Sequence, residues 1–418
     1  MASPTPANKE YLTAAEAMAV LNVRQQTLYA YVSRGLIRSV KQPNSKGKLY
    51  LAEDVNRARS RSQARAGHGA VAASAMNWGE PIIPTSITEI TPQGPSYRGR
   101  LATQLAQAET SFESVAELLW TGIWHQPCQP WRAPVPESDI AALNAFIGSE
   151  GDHALLDVFA VAVLHLGLRR GSIEDRVRSG HILDAARQVL RTLVGAFGWL
   201  GPGRAYHPLD AGERISIGVL QALAVSRTDE NQAAIEAMLV LFADHELSPG
   251  TLAARVAASS GAPLHGCLAA AICATAGVQV GRLYDRVESF LDSNRTLEAL
   301  RRSAEQARRQ GSAPSGFGHP LYPHGDPRAR WLLKLVQQRS RQSRRLDAIY
   351  TFLHDMEHDL GLHPRHELTA ATLAIAMELP PRTLGPLFAL SRCAGWVAHV
   401  QEQRLSPAML RPRARFVA

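Results

Sequence analysis

The chain has 418 residues, of which 45% are apolar and 20% charged, so it is an ordinary globular composition and not a disordered or fibrous one. Its longest near-apolar run, Leu155 to Leu168, is broken by Asp157, His165 and Gly167 and is shorter than the roughly 20 residues of a membrane span; with no secretory pattern in MASPTPANKE, a cytoplasmic protein is expected. The net charge of +8 is concentrated: residues 1–66 hold 11 Lys/Arg against 4 acids, whereas the rest holds 34 against 33. A small basic module, suited to a polyanion, therefore precedes a nearly neutral body.

Residues 11–37 open with Thr13 as a helix N-cap and Glu16 three residues on, a capping box. Ala17, Val20 and Leu21 form the stripe of a short first helix, Asn22-Val23 a tight turn, and Arg24 to Ser33 a second helix with Leu28, Tyr31 and Val32 facing inward, ended by Gly35. The turn signal PNSKGK lies between two strand-like runs, and Asp54 starts another helix. The segments LTAAEAMAVLNV, TLYAYVSRGLI and LYLAEDV resemble a winged helix-turn-helix of the MerR and excisionase type over residues 1–60. That resemblance implies DNA as a partner. Arg24, Gln25, Gln26, Thr27 and Tyr29 would lie at the reading helix, and Arg34, Arg38, Lys41, Lys46 and Lys48 would hold phosphates. The alternative is a fold kept for protein contact.

Residues 61–77, rich in Ser, Ala, Gly and Arg, read as a linker. Residues 79–100 suit a short strand-and-turn region. Beyond Arg100 the three- and four-residue apolar spacing predicts helices over 101–121, 137–149, 152–168, 212–226, 229–244, 250–276, 283–309, 327–360 and 367–379. No internal repeat argues for a solenoid. Cys128, Cys267, Cys273 and Cys393 form no CxxC pair or zinc-spaced cluster and are expected as reduced thiols. No metal or tightly bound cofactor is indicated.

Four stretches of the body carry chemistry: Asp244-His245-Glu246; Gly316-Phe317-Gly318-His319-Pro320-Leu321-Tyr322-Pro323 followed by Asp326-Pro327-Arg328-Ala329; Ser391-Arg392-Cys393 through His399; and Arg411-Pro412-Arg413. Together with Tyr97-Arg98-Gly99 and SFESVAELLW, these motifs resemble citrate synthases, in order, from about residue 78 to the end. The resemblance implies a mostly α, two-domain helical fold, with a smaller domain inserted at about 265–370. It further implies a homodimer and condensation of acetyl-CoA or another short acyl-CoA, as substrate, with oxaloacetate. Carried over singly, His245, Arg328 and Arg392 match oxaloacetate-binding residues, His319 the histidine that polarises the ketone, and Arg411 the arginine that reaches the other subunit's site.

The acyl-CoA side departs from the pattern. RVAASSGAPLHGCLAAAICATAGVQVGR aligns without a gap to the family's segment, which sets Val280 where the enol-stabilising histidine belongs and makes His265 a decoy. The base, an aspartate in a PNVDF-like stretch, corresponds to Glu367 in Pro364-Arg365-His366-Glu367-Leu368, and Phe242 replaces a frequent histidine. A shift of about 1 Å can cost on the order of 10²-fold, and a lost oxyanion-type donor about 10²–10³-fold. Three readings stay open: a weakened acyltransferase, a DNA-binding regulator that senses an oxo-diacid or citrate, and a helper subunit of an intact relative.

Overall fold

The computed structural model describes residues 11–21, 23–33, 36–41, 47–52, 54–56, 58, 83–132, 135–147, 154–170, 179–339, 343–406 and 409–412. The expected linker, Arg34, Lys46 and the side chain of Lys41 lie outside the described residues.

The N-terminal module has its own core. Strand β1 (Tyr11–Thr13) leads into α1 (Ala14–Leu21), and α2 (Gln25–Ser33) follows after a short turn. The capping box is present: Glu16 N–H donates to Thr13 Oγ1 at 3.3 Å, and Thr13 N–H donates to the Glu16 carboxylate at 2.8 Å. Strands β2 (Ser39–Lys41) and β3 (Lys48–Leu51) complete an antiparallel sheet of order β1-β3-β2. Leu12, Ala17, Leu21, Leu28, Ile37, Tyr50 and Val55 bury one shared cluster. Of the residues expected at DNA, Arg24, Gln25, Gln26, Thr27, Tyr29 and Lys48 are exposed. The second helix begins at Gln25, one residue later than expected. Arg38 departs from expectation. Its guanidinium forks onto buried Asp54 at 2.8 and 3.0 Å, and its backbone N–H adds a third bond at 2.9 Å, so it braces the module and is not free for a phosphate.

The body opens with a small sheet: β4 (Thr88–Thr91), β5 (Gly94–Tyr97) and β6 (Arg100–Leu101), antiparallel in that order. Helices follow: α3 (Ala102–Gln107), α4 (Phe112–Thr121), α5 (Glu137–Ile147), α6 (Leu155–Arg170), α7 (Ser179–Ala196), α8 (Ile215–Ala222) and α9 (Asp229–Phe242). Then come α10 (Pro249–Ser259), α11 (Leu264–Thr275), α12 (Arg282–Ser293), α13 (Leu297–Arg309), α14 (Pro327–Arg339), α15 (Arg344–Leu360), α16 (His366–Ala376) and α17 (Leu384–Leu405). Local chemistry sets several ends. Ser111, Thr228, Thr296 and Ser343 accept backbone N–H groups as N-caps, and Gly122 and Gly361 close their helices in the left-handed conformation. The expected single helix over 250–276 is two, because Gly261 (φ +84°) and Pro263 end one and start the next.

Helix α17 is buried along almost its whole length and packs on α4, α9, α10 and α11, which makes it the axis of the core. The N-terminal module is seated on this body. Tyr11 N–H donates to the Gly311 carbonyl at 3.2 Å, and Tyr11, Val40 and Leu49 face Pro314, Leu360 and Leu362. Among the described residues no helix is long and apolar enough to cross a membrane.

Candidate functional site

Helix α9 ends at Asp244-His245-Glu246, and Tyr97 on β5 fixes that end. The Tyr97 hydroxyl lies 3.1 Å from the Val240 carbonyl oxygen and 3.2 Å from that of Leu241, and it accepts the Asp244 N–H at 3.4 Å. The Asp244 carboxylate is fully buried, 3.2 Å from Nε2 of equally buried His399. Burial pushes this carboxyl up, but His399 and Arg392 more than offset it and hold it ionised. Gly395 allows α17 to approach so closely, since a Cβ there would collide with Asp244 Oδ1.

Next to this end stands the loop before α14. His245 Nε2 is 3.0 Å from the Tyr322 hydroxyl, and the His245 and His319 rings are 5.6 Å apart. Leu321 N–H donates to His319 Nδ1 at 3.2 Å, so a neutral His319 carries its proton on Nε2. It is neutral: burial, reinforced by Arg328, pushes the imidazole down to about 3. His245 is lowered too, by burial first and then by Arg328, Arg392 and His319. The loop is stitched to the start of α16, where Gly318 N–H donates to the His363 carbonyl at 3.0 Å and Arg365 N–H to the Gly316 carbonyl at 2.8 Å.

Two buried arginines flank these histidines in different states. Arg328 forks onto Asp326 at 3.0 and 2.8 Å and touches His366 Nδ1 at 3.0 Å. Burial disfavours its charge, but Asp326 overrides this and holds the guanidinium firmly protonated. Arg392, 2% exposed, lies with Cζ 4.6 Å above the Phe388 ring, and its Nε and Nη1 have no hydrogen-bond partner among the described residues. Burial lowers its pKa, with Asp244 opposing. A buried cation with free donors is costly unless an anion meets it, and the guanidinium fork matches a carboxylate. The arrangement accordingly suits a small polycarboxylate. His319, Asp326 and His366 each bring a ligand atom within 4.8 Å of the others, but Arg328 occupies the Asp326 carboxylate and would repel a metal cation.

Glu367 is buried at the start of α16, 3.3 Å from His366 Nδ1, and both its oxygens accept from the Arg365 guanidinium, at 3.1 and 2.8 Å. Burial pushes this carboxyl up, yet Arg365 and His366 outweigh it and hold it far below the usual carboxylate range. Val280 lies in the turn between α11 and α12, half-buried against the core. His265 is buried and packs on Gly167 of α6. Arg411 stands apart, exposed, on a tail tied by Leu410 N–H to Ser259 Oγ at 3.1 Å.

The family model "Citrate synthase, C-terminal domain" matches residues 76–413. The chain belongs to the citrate synthase family. Among its relatives, a 2-methylcitrate synthase of Mycobacterium tuberculosis is 27% identical over 79% of this chain and 87% of its own length. A citrate synthase of Mycolicibacterium smegmatis is 26% identical over 79% and 92%. The fold is that of the Thermoplasma acidophilum citrate synthase solved with carboxymethyl coenzyme A and oxaloacetate: TM-score 0.71, 18% identity, 81% of this chain and 94% of that one.

Against this citrate-synthase frame, the structure brings together His245, His319, Arg328 and Arg392, all named from sequence, with Glu367 joined through His366. It also shows residues that had no assigned role in the motifs. Tyr322 orients His245, His399 pairs with Asp244, and Arg365 grips Glu367. Tyr322 and His399 lay inside the motifs already singled out, so their signal was proximity. Arg365 carried a signal too, a cation two residues before an acid in a stretch where the pattern has neither Arg nor His.

Proposed function

We propose that this citrate-synthase-family chain binds oxaloacetate or a closely similar oxo-diacid among His245, His319, Arg328 and Arg392, and condenses an acyl-CoA with it weakly. The observation that carries the reading is Arg392: a buried guanidinium with two donors facing no protein acceptor among the described residues. Arg392 and Arg328 would hold carboxylates, and the Nε2–H of His319 would donate to the ketone oxygen and draw electrons from the carbon to be attacked. Glu367 would take a proton from the thioester's α-carbon. The carbanion then bonds to the ketone carbon, and hydrolysis releases coenzyme A.

The second half of that sequence is poorly served. Val280 offers no donor to the enolate oxygen, and a carboxylate gripped by Arg365 is a weak base. Titration calorimetry with oxaloacetate, followed by thioester absorbance with acetyl-CoA or propionyl-CoA present, tests both halves. Micromolar oxaloacetate binding with slow or undetectable thioester loss supports the proposal, and failure to bind oxaloacetate sinks it. Homodimer formation, with Arg411 reaching a second copy's site, belongs to the same proposal and is read by light scattering.

One observation favours a second reading, in which the chain is a ligand-responsive DNA-binding regulator. The basic module sits on Pro314, Leu360 and Leu362, which flank the segments that carry His319 and Glu367. The exposed Arg24, Gln25, Gln26, Thr27 and Tyr29 would read the major groove, and Lys48 a phosphate. Salt-dependent DNA binding that shifts with oxaloacetate would establish it.

A further inference from the structure

Two other buried polar atoms beside Arg392 also lack partners among the described residues: the Tyr284 hydroxyl and His366 Nε2. Tyr284 is 1% and His366 5% exposed. Both rings stand around Phe388, the ring beneath the Arg392 guanidinium, with Phe388 centroid distances of 5.4 Å for Tyr284 and 6.4 Å for His366. The two rings are 6.1 Å from each other, and His366 is 6.3 Å from His319. The other imidazole nitrogen of His366 is already engaged, 3.0 Å from Arg328 Nη2 and 3.1 Å from Asp326 Oδ2, which anchors the ring.

Each member of the pair can play either part in a hydrogen bond. If His366 Nδ1 donates to Asp326, Nε2 is an acceptor; if Nδ1 accepts from Arg328, Nε2 is a donor. A phenol both donates and accepts. The group that satisfies such a pair in either tautomer is a hydroxyl, which donates to one member and accepts from the other. A ketone or a carboxylate can only accept, so it satisfies the pair in one tautomer at most.

We propose that Tyr284 and His366 form a hydroxyl-recognising subsite beside Arg392, so that the pocket prefers a hydroxy-polycarboxylate to the oxo-diacid of the same skeleton. The inference rests on the proposed carboxylate pocket and names the ligand class that pocket holds best.

Malate and oxaloacetate differ by one hydroxyl in place of one ketone, and titration calorimetry on the full chain separates the two. Wild type is expected to bind malate at least about tenfold more tightly than oxaloacetate, with citrate also tight. Tyr284→Phe is expected to weaken malate about tenfold or more and oxaloacetate less than twofold, since only the hydroxyl ligand loses a partner. His366→Val should do the same, with folding checked by circular dichroism because it also removes a contact to Asp326. The proposal is overturned if oxaloacetate binds as tightly as malate, or if Tyr284→Phe weakens both equally. Arg392→Leu is the control: if it leaves all three ligands bound, the carboxylate pocket itself is misplaced, a separate failure from loss of the malate preference.

Discussion

Arg392 and Glu367 are both buried charges on helices that meet at one site, yet they stand in opposite states. Arg392 has free donors; Glu367 has both oxygens committed to Arg365. The arginine is therefore available to a ligand and the carboxylate is not. A charge left unpaired inside a protein stores binding capacity, whereas a charge paired within the chain has already spent its hydrogen bonds. On the function proposed above, one side of the site would be equipped to bind and the other ill equipped to move a proton.

The largest expected effect comes from removing the available charge. Arg392→Leu should weaken oxaloacetate by about 100-fold or more, because hydrogen bonds to charged groups contribute ~1.5–3 kcal/mol each. Ligand-free stability should fall only modestly, since the variant removes a buried cation whose donors meet no acceptor among the described residues but also a charge that helps hold Asp244 ionised. Differential scanning fluorimetry with and without oxaloacetate checks both at once. A drop of many degrees in the ligand-free melting temperature would break the comparison, by revealing Arg392 as a structural member.

The next effect tests the deficient side. Restoring both departures, Val280→His with Glu367→Asp, should raise thioester turnover by at least about tenfold, given what a missing donor and a displaced base typically cost. Arg365→Met alone should help less, because it frees the carboxylate without supplying the enolate donor. Turnover unchanged in the double variant would place the defect elsewhere in the acyl-CoA path.

A smaller effect tests the reach of the module. Val40→Asp, which sets a charge against Leu360 and Leu362, should change oxaloacetate affinity about fivefold if the module and the site are coupled, at the low end of allosteric couplings. An unchanged affinity would leave the module a passenger.

How far the sequence foretold this arrangement depended on the kind of contact. Most helical stretches followed from apolar spacing, although 101–121, 283–309 and 327–360 each hold two helices and α7 and α17 were not among those predicted; the capping box at Thr13 was readable because it spans three residues. That His245, His319, Arg328 and Arg392 come together was legible because each sits in one of the motifs that run in order along the chain. Arg38 was misread: an exposed-looking cation in a basic stretch gave no hint that Asp54, sixteen residues on, would take its fork. The Arg365–Glu367 grip and the orphaned atoms of Tyr284 and His366 were invisible because they depend on which side chains share a buried space. Periodicity cannot report that.

The smallest effect concerns pH, and it sharpens the contrast from both sides. His319, pushed down to about 3 by burial and Arg328, stays neutral from pH 5 to 8, and His245 and His366 are lowered in the same direction. Oxaloacetate binding should therefore vary little across that range, because Arg328 and Arg392 keep their charge and His319 gains none. Stability should not be flat. Below pH 6.5 the unfolded chain takes up protons on these histidines that the folded chain resists, so stability falls as pH falls, by up to about 1.4 kcal/mol per pH unit from His319, with His245 and His366 adding in the same direction. Glu367, held low by Arg365, adds to that loss only at more acid pH. Urea unfolding between pH 4 and 8 should show the slope, and His319→Leu should reduce it by one histidine's share while removing a donor from the site. Arg365→Met changes the other side. With its fork gone, the Glu367 carboxyl rises into the accessible range, and an acid limb should enter a pH–rate profile in which wild type has none. If the limb is already present in wild type, Arg365 does not hold Glu367 in solution, and the contrast between the free arginine and the gripped carboxylate fails.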